Sequence, residues 1–145
     1  MADALGEGPF GSLTSDFGRL VEGMATGQVR PATTEEVVAA VATARDSGER
    51  VTIRASAHSF GGQAVPDTSR VLDVTRLDAV RVEDATALCG PGATLRQVVD
   101  ATLPHGLLPP ILTNLLDLTV GGLLSVGGIG PASRLQAPWW RTSPA

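Results

Sequence analysis

One cysteine, Cys89, and two histidines, His58 and His105, stand in 145 residues. A single cysteine excludes an internal disulfide, and so few potential ligands leave no zinc-binding spacing, so no metal site is expected. Positive charge is outnumbered by negative. The net charge is -4, the pI is near 5.0, and no Lys/Arg cluster exists to neutralise phosphates or acidic head groups. Nucleic acid and membrane surfaces are therefore excluded as partners, and a small ligand is favoured. No apolar run is long enough to span a bilayer, and the opening MADALGEGPFGSL lacks the basic start and apolar stretch of a signal peptide. With a reducing compartment favoured by the lone cysteine, the expected location is the cytoplasm. Two nucleotide fingerprints are also missing: no Gly-x-Gly-x-x-Gly follows the first expected strand, and there is no Walker Lys-Ser/Thr pair.

Glycine and proline are abundant, at 17 and 10 residues, and both gather into defined stretches. Residues 1–28 read mostly as a loosely held arm, with a turn or two of helix where Phe17, Leu20, Val21 and Met24 recur. After Pro31, Thr33-Thr34-Glu35-Glu36 has the form of a capping box. It precedes Val37, Val38, Val41 and Ala44 at helical spacing, and Gly48 ends the helix. Val51-Thr52-Ile53-Arg54 and Val71-Leu72-Asp73-Val74 read as strands. Residues 78–82 and 86–89 flank Glu83-Asp84 as a hairpin. Thr94 to Gln97 offers a second capping box ahead of Leu95, Val98, Val99 and Leu103, and Gly106 is the stop.

Three turn-like, small-residue segments stand out: 54–63, 89–94 and the Gly-rich run 119–130. Small side chains let consecutive backbone N–H groups converge into a nest that binds phosphate without a positive side chain. A diphosphate cofactor suits an acidic protein of this kind. Such turns also occur in folds that bind nothing, so each segment alone is weak evidence.

In this order the three segments resemble the FAD-binding domain of the vanillyl-alcohol oxidase superfamily, especially its cytokinin-dehydrogenase-like branch. Asp16-Phe17-Gly18 and Val29-Arg30-Pro31-Ala32 resemble its leading segment. Residues 54–63 resemble its Arg-Gly-x-Gly-His-Ser-x-x-Gly-Gln loop, Pro91-Gly92-Ala93 its next flavin-facing turn, and 118–128 its Leu-Thr-Val-Gly-Gly-x-Leu-Ser segment. The resemblance implies an α+β fold: the N-terminal part of a two-subdomain FAD-binding PCMH-type domain, with helices packed on small mixed sheets. The first subdomain would run from about Gly27 to Leu77 and the second would begin at Asp78. It further implies FAD as cofactor, cradled by the backbone of Ala55, Ser56, Ala57, His58 and Ser59, with Ser59 and Gln63 as side-chain donors. His58 would be the covalent anchor. Pro91, Gly92, Asn114, Thr119, Gly121, Gly122, Ser125 and Ile129 would supply the remaining cofactor contacts.

The departures are as informative as the matches. Ala55 and Ala57 replace loop glycines, which strains the backbone by roughly 1 kcal/mol or more wherever φ must be positive. In cytokinin dehydrogenases the position of Asn114 is an aspartate that acts as base. An amide cannot accept that proton, so no catalytic residue is assigned, and Asp117 nearby reads equally well as a turn residue. Cys89 reads as a small buried hydrophobe and His105 as a helix C-terminal residue. The expected organisation is an arm over 1–26, an incomplete FAD-binding domain over 27–135 and an unrelated tail over 136–145, with a second polypeptide as a possible completing partner. Three functions follow: an FAD-dependent oxidoreductase of a small organic substrate, or its FAD-binding portion; a truncated, non-catalytic remnant or binding module that has lost the flavin; and a flavoprotein whose cofactor is structural while the pocket steers a non-redox rearrangement.

Overall fold

A computed structural model of the protein describes residues 13–134. The expected tail, 136–145, and most of the expected arm therefore lie outside the described residues. The chain divides into two compact units, Met1–Arg76 and Leu77–Ala145, a boundary one residue from the subdomain junction expected from the sequence.

The first unit is a three-stranded parallel sheet with one helix. Strand β1 (Met24–Val29) is followed by helix α1 (Thr34–Asp46), strand β2 (Val51–Arg54) and strand β3 (Asp67–Asp73), and the sheet order is β1-β3-β2. Thr33 caps α1 by accepting from the Glu36 amide at 3.2 Å. The Glu36 carboxylate accepts from Ala32 at 2.7 Å, so the reciprocal arm reaches one residue earlier than in a standard capping box. Gly48, at φ 68, ends the helix in the left-handed conformation that glycine adopts without strain. As the central strand, β3 is covered on both faces, and the run Val71, Leu72, Asp73, Val74 is buried throughout. The carboxylate this buries at Asp73 is met by Arg30 at 3.0 Å and by Gln28 and Thr75.

Two expectations fail here. Residues Phe17 to Met24 form no helix: Arg19 sits at φ 54, Ser15 bridges Glu22 in antiparallel fashion, and Met24 opens β1. The cause is Asp16, whose Oδ1 accepts from the Leu20 and Val21 amides at 2.7 and 3.2 Å and closes a turn in place of a helical repeat. From Leu13 on, the supposed arm is part of the unit, since Leu13, Ser15 and Asp16 are all buried. The stripe expected on α1 is thinly used, with Ala44 its one buried residue and Val38 63% exposed.

The second unit begins with an antiparallel hairpin, strands β4 (Val80–Glu83) and β5 (Thr86–Cys89), turning through Asp84 at φ 51. Sheet character is thus mixed between the two units and uniform within each. Helix α2 (Leu95–Thr102) carries a complete capping box: Thr94 accepts from the Gln97 amide, and the Gln97 side chain accepts from the Thr94 amide. Leu95 and Val98 on α2 are buried, and Ala93, Val98 and Val120 form a cluster against Val80, Ala87 and Cys89. A short 3-10 turn, Leu103–His105, leads to Gly106 at φ 72.

The Gly-rich run is not a turn but a third helix, α3 (Val120–Val126), capped by Thr119 and ended by Gly127 at φ 73. Its glycines serve packing. A Cβ on Gly121 would lie 2.9 Å from the Pro91 carbonyl oxygen, so only glycine lets α3 approach that backbone.

Candidate functional site

In the first unit, β2 ends at Arg54 and the chain crosses through residues 55–66 to re-enter the sheet as β3. Such crossovers beyond the carboxyl ends of parallel strands are where α/β sheets bind ligands. Ala57 takes φ 58, a left-handed conformation flanked by ordinary ones, whereas Ala55 does not. Of the two alanines that replace the expected glycines, only Ala57 is therefore strained. A left-handed residue between right-handed or extended ones is how successive amides become convergent. Among the described residues, the amides of Ala55, Ser56, Ala57 and Ser59 donate to no other protein group. That donor set, neutral and uncommitted, fits a diphosphate.

The loop is held from outside. Gly61 N donates to Asp16 Oδ2 at 3.1 Å, and Phe17 N donates to the Ser59 carbonyl at 3.1 Å. The Arg54 guanidinium, 5% exposed, donates to the Ser15 and Ala64 carbonyls at 2.8 and 2.9 Å. Burial pulls the Arg54 pKa below its ordinary value, against the opposing pull of Asp73. For Asp16, burial pushes the pKa up, but the amides of Val21, Leu20 and Gly61 outweigh it and leave the carboxyl below the usual range. The His58 ring lies 4.9 Å from Phe17, tilted by 33°, and both its nitrogens are shielded from solvent. Phe60 meets Phe17 edge-on at 5.1 Å. Ser56 is buried, Ser59 half-buried and Gln63 exposed.

In the second unit, the expected contacts separate into two groups. Pro91, Gly92, Thr119 and Gly121 form one knot. The caps of α2 and α3 are bridged through Thr94 and Thr119, Val120 N donates to Ala93, and Gly121 N donates to Pro91 at 2.9 Å. Leu95 and Arg96 donate to Leu118 and Leu116, so the first amides of both helices are already engaged. The 89–94 turn and the start of α3 are not open nests. Thr119 is buried and its hydroxyl caps Gly122. Asn114, Gly122, Ser125 and Ile129 are exposed, with the Ser125 hydroxyl donating to Gly121 at 2.8 Å. Asp117 is paired with Arg96 at 3.0 Å, an interaction that raises the Arg96 pKa. Cys89 is half-buried, and burial pushes its thiol upward. His105 is exposed in the 3-10 turn after α2.

In the sequence, Asp16 and Arg54 stand only as parts of motifs, with no role of their own. The available signal for Asp16 was an acidic residue ahead of a glycine turn between apolar positions, the pattern of a side chain that bonds local backbone. Among the described residues no group of His, Cys, Asp and Glu is arranged to hold a metal, and no helix is long and apolar enough to cross a membrane.

A parallel βαβ unit with an open amide loop, followed by a second small α+β unit, is the build of a PCMH-type FAD-binding domain of the vanillyl-alcohol oxidase superfamily. Residues 25–138 match the FAD binding domain family, and the chain belongs to it. The sequence is 37% identical over 123 residues to the uncharacterized oxidoreductase ORF5 of the fasciation locus of Rhodococcoides fascians, covering 84% of this chain and 28% of that protein. It is 33% identical over 137 residues to cytokinin dehydrogenase 6 of Oryza sativa subsp. japonica, covering 86% and 26%. The fold aligns with aclacinomycin oxidoreductase at a TM-score of 0.75 and 30% identity, over 87% of this chain and 26% of that one. The chain thus spans about a quarter of the length of the curated relatives it matches.

Proposed function

We propose that this chain is the FAD-binding portion of an FAD-dependent oxidoreductase acting on a small organic substrate, in the cytoplasm. The observation that carries the reading is the set of uncommitted amides at residues 55–57 and 59. Backbone donors held in place before binding stabilise a diphosphate without positive side chains, in keeping with the acidic composition. Ser59 and Gln63 add side-chain donors, and His58, beside Phe17, is the residue assigned to tether the cofactor covalently. Pro91, Gly92, Asn114, Thr119, Gly121, Gly122, Ser125 and Ile129 are proposed as further cofactor contacts, with Gly122, Ser125 and Ile129 favoured by their exposure. When bound, FAD supplies a two-electron acceptor for hydride from a substrate C–H.

The chain's own residues bind and orient; none is assigned as catalytic base. Asn114 is an amide and cannot take a proton from substrate, and Asp117 is engaged in an ion pair with Arg96. The substrate-side groups, and a second polypeptide that completes the domain, are part of the same proposal.

A second reading is favoured by one observation. Ala57 places a methyl on a left-handed backbone in the cradle itself, which weakens affinity and fits a module that has lost its flavin. Refolding with FAD and then denaturing in acid separates the two. The proposal expects yellow colour to stay with the parent protein and to leave a His58→Ala variant. A parent that takes up no FAD before the acid step supports the remnant, colour lost from the parent only on denaturation shows binding without a tether, and equal retained colour in parent and variant removes His58 as the anchor.

A further inference from the structure

We propose that Asp16 is the positioning residue of the cofactor loop, a role that rests on the reading of residues 55–59 as a diphosphate cradle. Nothing intrinsic to alanine keeps Ala57 at φ 58, so the conformation must be imposed by contacts on either side of it. Those contacts converge on one short segment. Arg54 reaches the Ser15 carbonyl, Phe17 N reaches the Ser59 carbonyl, and Asp16 Oδ2 receives Gly61 N. The segment is in turn folded by the other Asp16 oxygen, which takes the Leu20 and Val21 amides. One carboxylate therefore closes the turn with Oδ1 and the loop with Oδ2.

An asparagine of the same size cannot do both. It offers one acceptor oxygen, and its NH2 group would face either the Gly61 amide or those of Leu20 and Val21, donor against donor. With the loop released, Ala57 relaxes to negative φ and the convergence of the amides is lost. Asp16 touches no ligand in this account; it acts through the loop.

The test is FAD titration by fluorescence quenching on the full chain as parent, Asp16→Asn, Ala57→Gly and the double variant, with circular dichroism to verify folding. Asp16→Asn is expected to weaken FAD binding on the order of tenfold, the scale of one charged hydrogen bond. Ala57→Gly in that background is expected to recover most of the loss, because glycine enters the left-handed region freely. General destabilisation would be offset only about twofold by the glycine and not returned close to the parent. Should Asp16→Asn fail to fold, Asp16→Ser keeps a short hydroxyl for the turn but falls short of Gly61, and the same weakening is expected. Equal FAD affinity in parent and Asp16 variants overturns the proposal and leaves the FAD reading standing. A parent that binds no FAD removes that reading, and hydrogen exchange without ligand then decides. Faster exchange of the Gly61 amide in the variant supports the clamp, and unchanged exchange overturns it.

Discussion

A methyl group at position 57 stands where the backbone turns to φ 58, and among the described residues the chain bears that strain in a loop whose amides at 55–57 and 59 are uncommitted. The left-handed conformation costs an L residue about 1–2 kcal/mol, while glycine gives back roughly 0.4–1 kcal/mol through the entropy of its unfolded chain. Ala57→Gly is therefore expected to raise stability by roughly 0.5 kcal/mol in urea denaturation; a loss of more than that would mean the loop is not strained there. Asp16 carries a pH signature. Its folded pKa is lowered, so its contribution is present above the unfolded value of about 4 and is lost as pH falls below it. An acid titration should show the parent losing stability below pH ~4 more steeply than Asp16→Asn; parallel curves would contradict the three-amide clamp. Burial raises the Cys89 thiol, so alkylation at pH ~8 should run slower in the folded protein than in urea, and equal rates would place Cys89 outside the cluster it shares with Ala93 and Val98. Sequence patterning finds what repeats or caps. Asp16 and Arg54 escape it, because a carboxylate that takes the Gly61 amide and a guanidinium that reaches the Ser15 carbonyl, partners remote in sequence, leave no period to read.

Helices α1 and α2 were legible because their ends are written in local chemistry. Thr33 and Thr94 cap and Gly48 stops, each within four residues, while α2 itself ends at Thr102 and Gly106 closes the 3-10 turn that follows. Strand β1 and helix α3 were not, for opposite reasons. The sequence of β1, MATGQV, has no alternation to mark it, and it is a strand because β3 pairs with it along its length. In α3 the glycines signal a turn locally, but the close approach to the Pro91 backbone requires Gly121 in a helix. Gly121→Ala should accordingly cost about 1–3 kcal/mol by overpacking, despite alanine's better helix propensity. Loss of the capping box in Thr94→Ala should cost about 1 kcal/mol. Chemical denaturation checks both, and a stabilising Gly121→Ala would show that α3 does not need its close approach.

Across the described residues, large apolar side chains stand in solvent, among them Leu20 at 80%, Ile129 at 76% and Val126 at 74% exposure. Surfaces of this kind associate when left uncovered. The chain by itself is expected to self-associate, with a melting temperature that depends on protein concentration; a monodisperse monomer with a concentration-independent transition would contradict this. Ligand binding acts in the other direction. FAD at about 100 times its dissociation constant should stabilise the binding unit by about 2.7 kcal/mol. The α+β class and the two-unit division were readable from the order of three motifs. Which of the three keeps its amides open was not, since that depends on hydrogen bonds made between segments remote in sequence.

The most direct measurement is a calorimetric titration of the same protein with FAD, with ADP and with riboflavin. If residues 55–59 grip a diphosphate, FAD binds, ADP competes with it, and riboflavin binds far more weakly than FAD. Riboflavin binding as tightly as FAD, or FAD binding undisturbed by ADP, would show that the loop is not what holds the cofactor.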